Sequence, residues 1–184
     1  MRDSRTRAGR PTGPGFFVRR LCGAAALSLI AAGAACGGAP VAIPLEPSFP
    51  TRDAVVETFL KALAARDVPA LQSLAVGETE FRKYIWPSLP ASAEQVGMPD
   101  DYVWRDTAMR NAGFLAQLLS DHGGFEYRLV AVSFAGDTTD YGPFRVHRKT
   151  SLDVRGPAGA ETLRLFGSMV ESGGRWKIYS FVVD

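Results

Sequence analysis

The sequence predicts an α+β fold, with N-terminal helices packed on an antiparallel sheet. Two changes of rhythm carry that prediction. Apolar residues recur at helical spacing from residue 51 to 122, then at a period of two from residue 129 to 183. A third observation sets this domain apart from the chain before it, which is first basic, then apolar, then proline-rich.

The leader comes first. Arg2, Arg5, Arg7, Arg10, Arg19 and Arg20 precede an uncharged run from Leu21 to Ala35, and Asp3 is the only acid among them. A basic stretch, a short apolar stretch and small residues at its end mark a secretory signal over residues 1–35. The apolar run would rise about 22 Å as a helix, short of a ~30 Å hydrocarbon core, so a permanent span is not expected. Gly33-Ala34-Ala35-Cys36 resembles the lipobox of bacterial lipoproteins, in which the cysteine is lipidated and becomes the mature N-terminus. Gly33 departs from that pattern, where Leu, Val or Ile is usual, so cleavage near Ala34 without lipid stays open.

Cleavage changes the charge of what remains. Six leader arginines taken from 21 basic residues leave 15, and Asp3 taken from 19 acids leaves 18, so the mature chain carries about −3. Nucleic acid is therefore not an expected partner. Cys22 goes with the leader, and no cysteine follows Cys36, so neither a disulfide nor thiol chemistry is expected.

Residues 37–50 read GGAPVAIPLEPSFP. The prolines prevent helix and favour an extended chain, so residues 36–50 are expected to be a lipidated cysteine and tether. The domain is expected over residues 51–184. Thr51 suits a helix N-cap, followed by Val55, Val56, Phe59, Leu60 and Leu63 on one face. Asp67 and Pro69 start a second helix with Leu71 and Leu74, which Gly77 ends. Phe81 to Trp86 forms a short helical turn, and Pro87, Pro90, Gly97 and Pro99 form a loop. Asp100 or Asp101 caps a long helix with Trp104, Ala108, Ala112, Leu115 and Leu119 on one face, ended by Gly123-Gly124.

Strands follow. Leu129 to Phe134 is the first. Phe144, Val146, Thr150, Leu152 and Val154 then alternate with polar residues, except that Arg148 falls out of step. Turns at Gly156-Pro157-Ala158-Gly159 and Ser172-Gly173-Gly174 lead into strands over 162–171 and 176–183.

The opening AVVETFLKALAARDVPALQSL and the closing RWKIYSFVV resemble the nuclear-transport-factor-2-like superfamily. The resemblance covers residues 51–184 and rests on residue classes. It implies a strongly curved, cone-shaped antiparallel sheet around helices, with a pocket inside. A cystatin-like lipoprotein domain with another strand order is the alternative. Ketosteroid isomerases of this superfamily use a tyrosine on the first helix, where this chain has Phe59, so that chemistry is not expected.

Candidate functional residues are few. Tyr84, Trp86, Tyr102 and Trp104 cluster around the proline-rich loop and offer apolar surface with polar handles, suited to a pocket or interface. Completing the core is the competing role. Asp101, beside Tyr102, is the carboxylate best placed to serve such a site. His122 at a helix end suits the helix dipole. His147 lies between Arg145 and Lys149, expected to face solvent, with a pocket role as the alternative. Arg145, Arg148, Lys149 and Arg155 form a basic stretch that keeps an exposed face soluble or meets an anion. Two histidines and no cysteine in the mature chain make no zinc site, and no nucleophile elbow or phosphate loop occurs, so neither metal nor cofactor is expected. The expectation is a cell-envelope lipoprotein with a non-catalytic domain binding an envelope protein or small hydrophobic ligand. The alternative is a cone-pocket enzyme doing acid–base work on a hydrophobic molecule.

Overall fold

The computed structural model describes residues 41–183 apart from Gln95. The leader and Cys36 therefore lie outside the described residues. Helix α1 (Arg52–Ala64) begins as expected, with the Thr51 hydroxyl accepting the Ala54 N–H at 3.1 Å. Its inward face, Val55, Val56, Phe59, Leu60, Ala62 and Leu63, is buried. Arg66 then turns the chain in the left-handed region at φ 53°. Its guanidinium donates to the Gly123 carbonyl at 2.8 Å, and the Gly124 N–H donates to Leu63, so the two helix ends are held together. Helix α2 (Val68–Ser73) is capped by the Asp67 carboxylate on the Ala70 N–H.

Gly77 does not close α2, which stops at Ser73. It stands ahead of α3 (Glu78–Glu80), where the Glu80 carboxylate accepts the Gly77 N–H at 2.9 Å. A wider helical turn over Phe81–Ile85 and tight turns at Trp86–Ser88 and Pro90–Ser92 carry on from it. Helix α4 (Asp100–His122) follows and ends at Gly123. Its inward stripe is rotated from the expected one. Leu115 and Leu118 are buried, while Ala112 is exposed. The cause is Asn111, whose side-chain oxygen accepts from the Ser180 hydroxyl at 3.0 Å and the Phe181 N–H at 2.9 Å. That anchor fixes which side of α4 meets the sheet.

Among the described residues seven strands make two antiparallel sheets. β1 (Arg128–Phe134), β4 (Thr150–Gly156) and β5 (Gly159–Leu163) form one, in the order β1-β4-β5. β2 (Thr138–Asp140), β3 (Arg145–Arg148), β6 (Ser168–Ser172) and β7 (Arg175–Ser180) form the other, in the order β2-β3-β6-β7. Among the described residues neither sheet closes into a barrel. The break in alternation at Arg148 is the corner between them: Lys149 adopts φ 54° and the chain passes from one sheet to the other. The strand expected over 162–171 breaks as well, with Leu165, Phe166 and Gly167 buried between β5 and β6. Gly167 donates to the Ser180 carbonyl and accepts the Thr150 N–H. A Cβ there would stand 1.7 Å from the Val182 carbonyl oxygen, so the corner admits only glycine. β2 was not foreseen, because three residues are too short to show a period.

The four-stranded sheet is covered on both faces. Met169 and Ile178 pack with α1, α2 and the β1-β4 pair around Phe59, Leu63, Leu152 and Phe166. Val146 and Val170 pack on the other side with Ile43, Leu45, Phe81, Ile85 and Phe144. Proline-rich residues 41–50 are extended as expected, yet Ile43 and Leu45 are buried, since apolar side chains between prolines still gain by leaving water. Phe49 exchanges backbone hydrogen bonds with Trp176, donating at 3.0 Å and accepting at 2.8 Å. From Ile43 onward, this stretch belongs to the folded domain.

A buried ion pair fixes that arrangement. The Lys177 ammonium donates to both Glu80 carboxylate oxygens, at 3.0 and 2.8 Å, and to the Glu46 carbonyl at 2.6 Å. Lys177 is 1% exposed. Glu80 also accepts the Glu46 N–H at 2.7 Å. Replacing Lys177 with Met strands the Glu80 charge. The expected loss is about 3–5 kcal/mol of unfolding free energy in urea titrations, as for other broken buried pairs. A loss under 1 kcal/mol contradicts this role.

Candidate functional site

The aromatic segment is brought together only in part. Tyr84, Trp86 and Trp104 are half-buried against the second core, and Phe81 lies 5.9 Å from Trp86 and 5.4 Å from Trp104 between ring centres. Tyr102 points away and is 64% exposed. Asp101 pairs with Arg82, which also meets Glu78 at 2.8 Å and Asp100 at 2.7 Å. These carboxylates, Asp101 foremost, hold the Arg82 guanidinium firmly protonated. Asp101 thus ties the start of α4 to the wide turn over Phe81–Ile85.

Trp104 lines a cleft. Between α4 and the end of β7, Phe81, Leu89, Val103, Trp104 and Tyr179 enclose about 210 Å³, with Asp106, Thr107 and Arg110 beside them. Burial, then the neighbouring Tyr141, pushes the Tyr179 hydroxyl up to about 12, against the pull of Arg148. It stays a neutral donor at physiological pH. The volume falls below the roughly 300 Å³ at which pockets for drug-sized ligands begin. Only a small molecule or one side chain of a partner fits.

His147 is elsewhere, and it is not a solvent-facing residue. It is half-buried on β3, with ring centres 4.8 Å from Phe134 of β1 and 4.8 Å from Trp176 of β7. Arg52, at the start of α1, stands over Phe134 at 5.7 Å. The reason lies in the register: His147 is opposite Thr138 and Met169, on the face of the sheet that carries Trp176 and Ile178. Its Nδ1 is 3.0 Å from the Thr138 hydroxyl, and its buried Nε2 has no partner among the described residues. Burial lowers its pKa, Arg145 and Arg52 add to that, and Glu171 opposes it. Arg145, on the same face, is held by Asp140 and Glu171 at 3.2 and 3.5 Å.

A larger depression escaped the sequence reading. A groove of about 890 Å³ runs between α1 and the start of β1, lined by Glu57, Leu60, Lys61, Ala64, Ala65, Glu126, Tyr127, Arg128, Leu129 and Arg155. Tyr127 braces it, its hydroxyl 2.8 Å from His122 Nδ1. Its ring lies over Gly156, where a Cβ would approach to 2.6 Å. Burial, then Glu161, raises the Tyr127 pKa. Gly156 opens a turn in the sequence pattern, so nothing local marked the approach of Tyr127 to it.

Among the described residues no cluster of three His, Cys, Asp or Glu is placed to hold a metal ion. No helix there is long and apolar enough to cross a membrane. Comparison with protein-family models, curated proteins and solved structures finds no match to this chain.

Two outcomes follow from this geometry. His147 has a lower pKa folded than its unfolded value near 6.5, so the unfolded chain takes up the proton first. Its contribution is complete above about pH 6.5 and is lost as pH falls through the folded value. Melting temperatures from pH 8 to 5 should therefore fall less for His147→Phe than for the parent; parallel curves contradict the assignment. Gly156→Ala should displace the Tyr127 ring and cost about 1–3 kcal/mol in urea unfolding. An unchanged midpoint contradicts the close packing.

Proposed function

We propose that this chain is an exported lipoprotein of the cell envelope. Cys36 anchors it, and its domain, of the nuclear-transport-factor-2-like kind, binds a protein partner or small ligand without catalysing a reaction. The filled interior carries the choice between binding and catalysis. Phe59 meets Phe166 edge-on at 5.0 Å and Phe181 at 6.4 Å, with Leu152 and Met169 fully buried beside them. A cone-pocket enzyme needs a deep cavity with an acid or base inside it. Here the space around Phe59, where α1 packs on the sheets, holds phenylalanine, leucine and methionine, and the groove between α1 and the start of β1 is open at the surface.

Exposed apolar side chains support the binding reading further. Tyr102, Met109 and Phe114 stand out along α4, and Val130 along β1. Tyr102 and Met109, seven residues apart, share one face of α4, and exposed apolar surface of that kind favours contact with another molecule. The leader supports the location, through six arginines, the uncharged run to Ala35 and the small residues before Cys36. Ile43 and Leu45 dock on the domain, so the proposed tether is shortened to the residues before Ile43.

Mass spectrometry of the mature chain tests the anchor. The expected N-terminus is a diacylglyceryl-modified Cys36, and Cys36→Ser should move the protein from the membrane to the soluble fraction. A mature chain starting at another, unacylated residue overturns the lipoprotein assignment and leaves export standing.

A further inference from the structure

We propose that the open edge of β1, where it borders α1, docks an extended acidic peptide segment that adds to the sheet as a further strand. This rests on the reading of the domain as a binding module. β1 ends its sheet, and among the described residues no bridge or other strand reaches its side away from β4. The chain treats β7 differently. There Phe49 exchanges two hydrogen bonds with Trp176, and Val76 and Ile178 donate to Ile178 and Leu74 in turn, covering that edge. An uncovered strand edge presents a row of donors and acceptors that pair with any extended chain of suitable side chains.

The groove supplies the room. At about 890 Å³ it falls within the range for ligand sites, and it lies between the α1 flank (Glu57, Lys61 and Ala64) and the first residues of β1. A slot bounded by a helix and a strand edge suits an extended peptide, whose alternate side chains meet the helix.

Charge selects the partner. Arg128 and Arg155 are direct cross-strand partners and both line the groove. Like charges in that position repel. Neither has a carboxylate within 4.0 Å among the described residues, and neither does Lys61. Glu57 and Glu126 also line the groove and offset part of this charge, leaving three cations against two carboxylates. An acidic side chain on the added strand relieves the arginine pair. Val130, 61% exposed, is the bulged residue of β1, outside its pairing with β4, so the added strand pairs on either side of it and meets its apolar side chain between.

Selection of random heptapeptides displayed on phage against the full chain in detergent tests the proposal. The enriched peptides should alternate acidic and apolar residues. Arg128→Gln and Arg155→Gln should each weaken binding about tenfold, as loss of one charge partner does, while unfolding midpoints hold or rise as the repulsion is relieved. Bound peptide should slow amide exchange across residues 128–134. Enrichment of neutral or basic peptides, or no enrichment, overturns the proposal. Acidic peptides that bind while β1 exchange stays unchanged overturn it too, and make the groove a plain anion site. Each of these failures leaves binding at the cleft beside Trp104 and Tyr179 standing, so the binding reading and this proposal fail separately.

Discussion

Lys177 has almost no exposed surface, and the outer edge of β7 is arranged around its ammonium. Burying a charge is costly unless it is paired and its hydrogen-bonding capacity is filled. Here three acceptor oxygens come from two places far apart in sequence, the Glu80 carboxylate and the Glu46 carbonyl. Glu80 is itself held by the Glu46 and Gly77 N–H groups. One ion pair therefore joins β7, the end of α3 and the proline-rich stretch. That stretch cannot leave without stripping Lys177 of a partner. Its apolar residues Ile43 and Leu45 complete the second core, so the pair also settles which residues make up that core.

A second constraint is the sharp bend between sheets. Lys149 turns β3 into β4, and Gly167 lets the chain between β5 and β6 pass against Val182. The bend brings Leu152 and Val154 of one sheet into the same cluster as Met169 and Ile178 of the other. Phe59, Phe166 and Phe181 fill the space so formed. These side chains pack closely, and the described hollows open at the surface around them. The small cleft beside Trp104 and Tyr179 and the groove beside β1 are two such hollows.

The caps at Thr51 and Asp67 were legible because a short oxygen-bearing side chain before an apolar stripe has one good use. The Lys149 corner was visible as a phase slip at Arg148, although its meaning was not. Gly167 gave no signal, since a glycine in an apolar run looks like any weak strand residue. The Lys177 pair was invisible for a different reason. Period two places Lys177 and Tyr179 on one side of β7, and nothing local tells that residues 43–45 and 81–85 cover that side. Likewise, the aromatic neighbours of His147 come from β1 and β7, so its strand alone suggested solvent. The pairing of Asp101 was equally hidden, because its partner, Arg82, stands before the proline-rich loop in the chain.

Native-state hydrogen exchange across a denaturant series tests most directly whether the ion pair makes one unit of these parts. The account predicts that the amides of Phe49, Val76, Trp176 and Ile178, which cross between the covering segments and β7, converge on the global unfolding isotherm. If Phe49 and Val76 instead exchange through a separate opening of much lower free energy, while β6 and β7 stay protected, the covering segments are only loosely attached and the account is wrong.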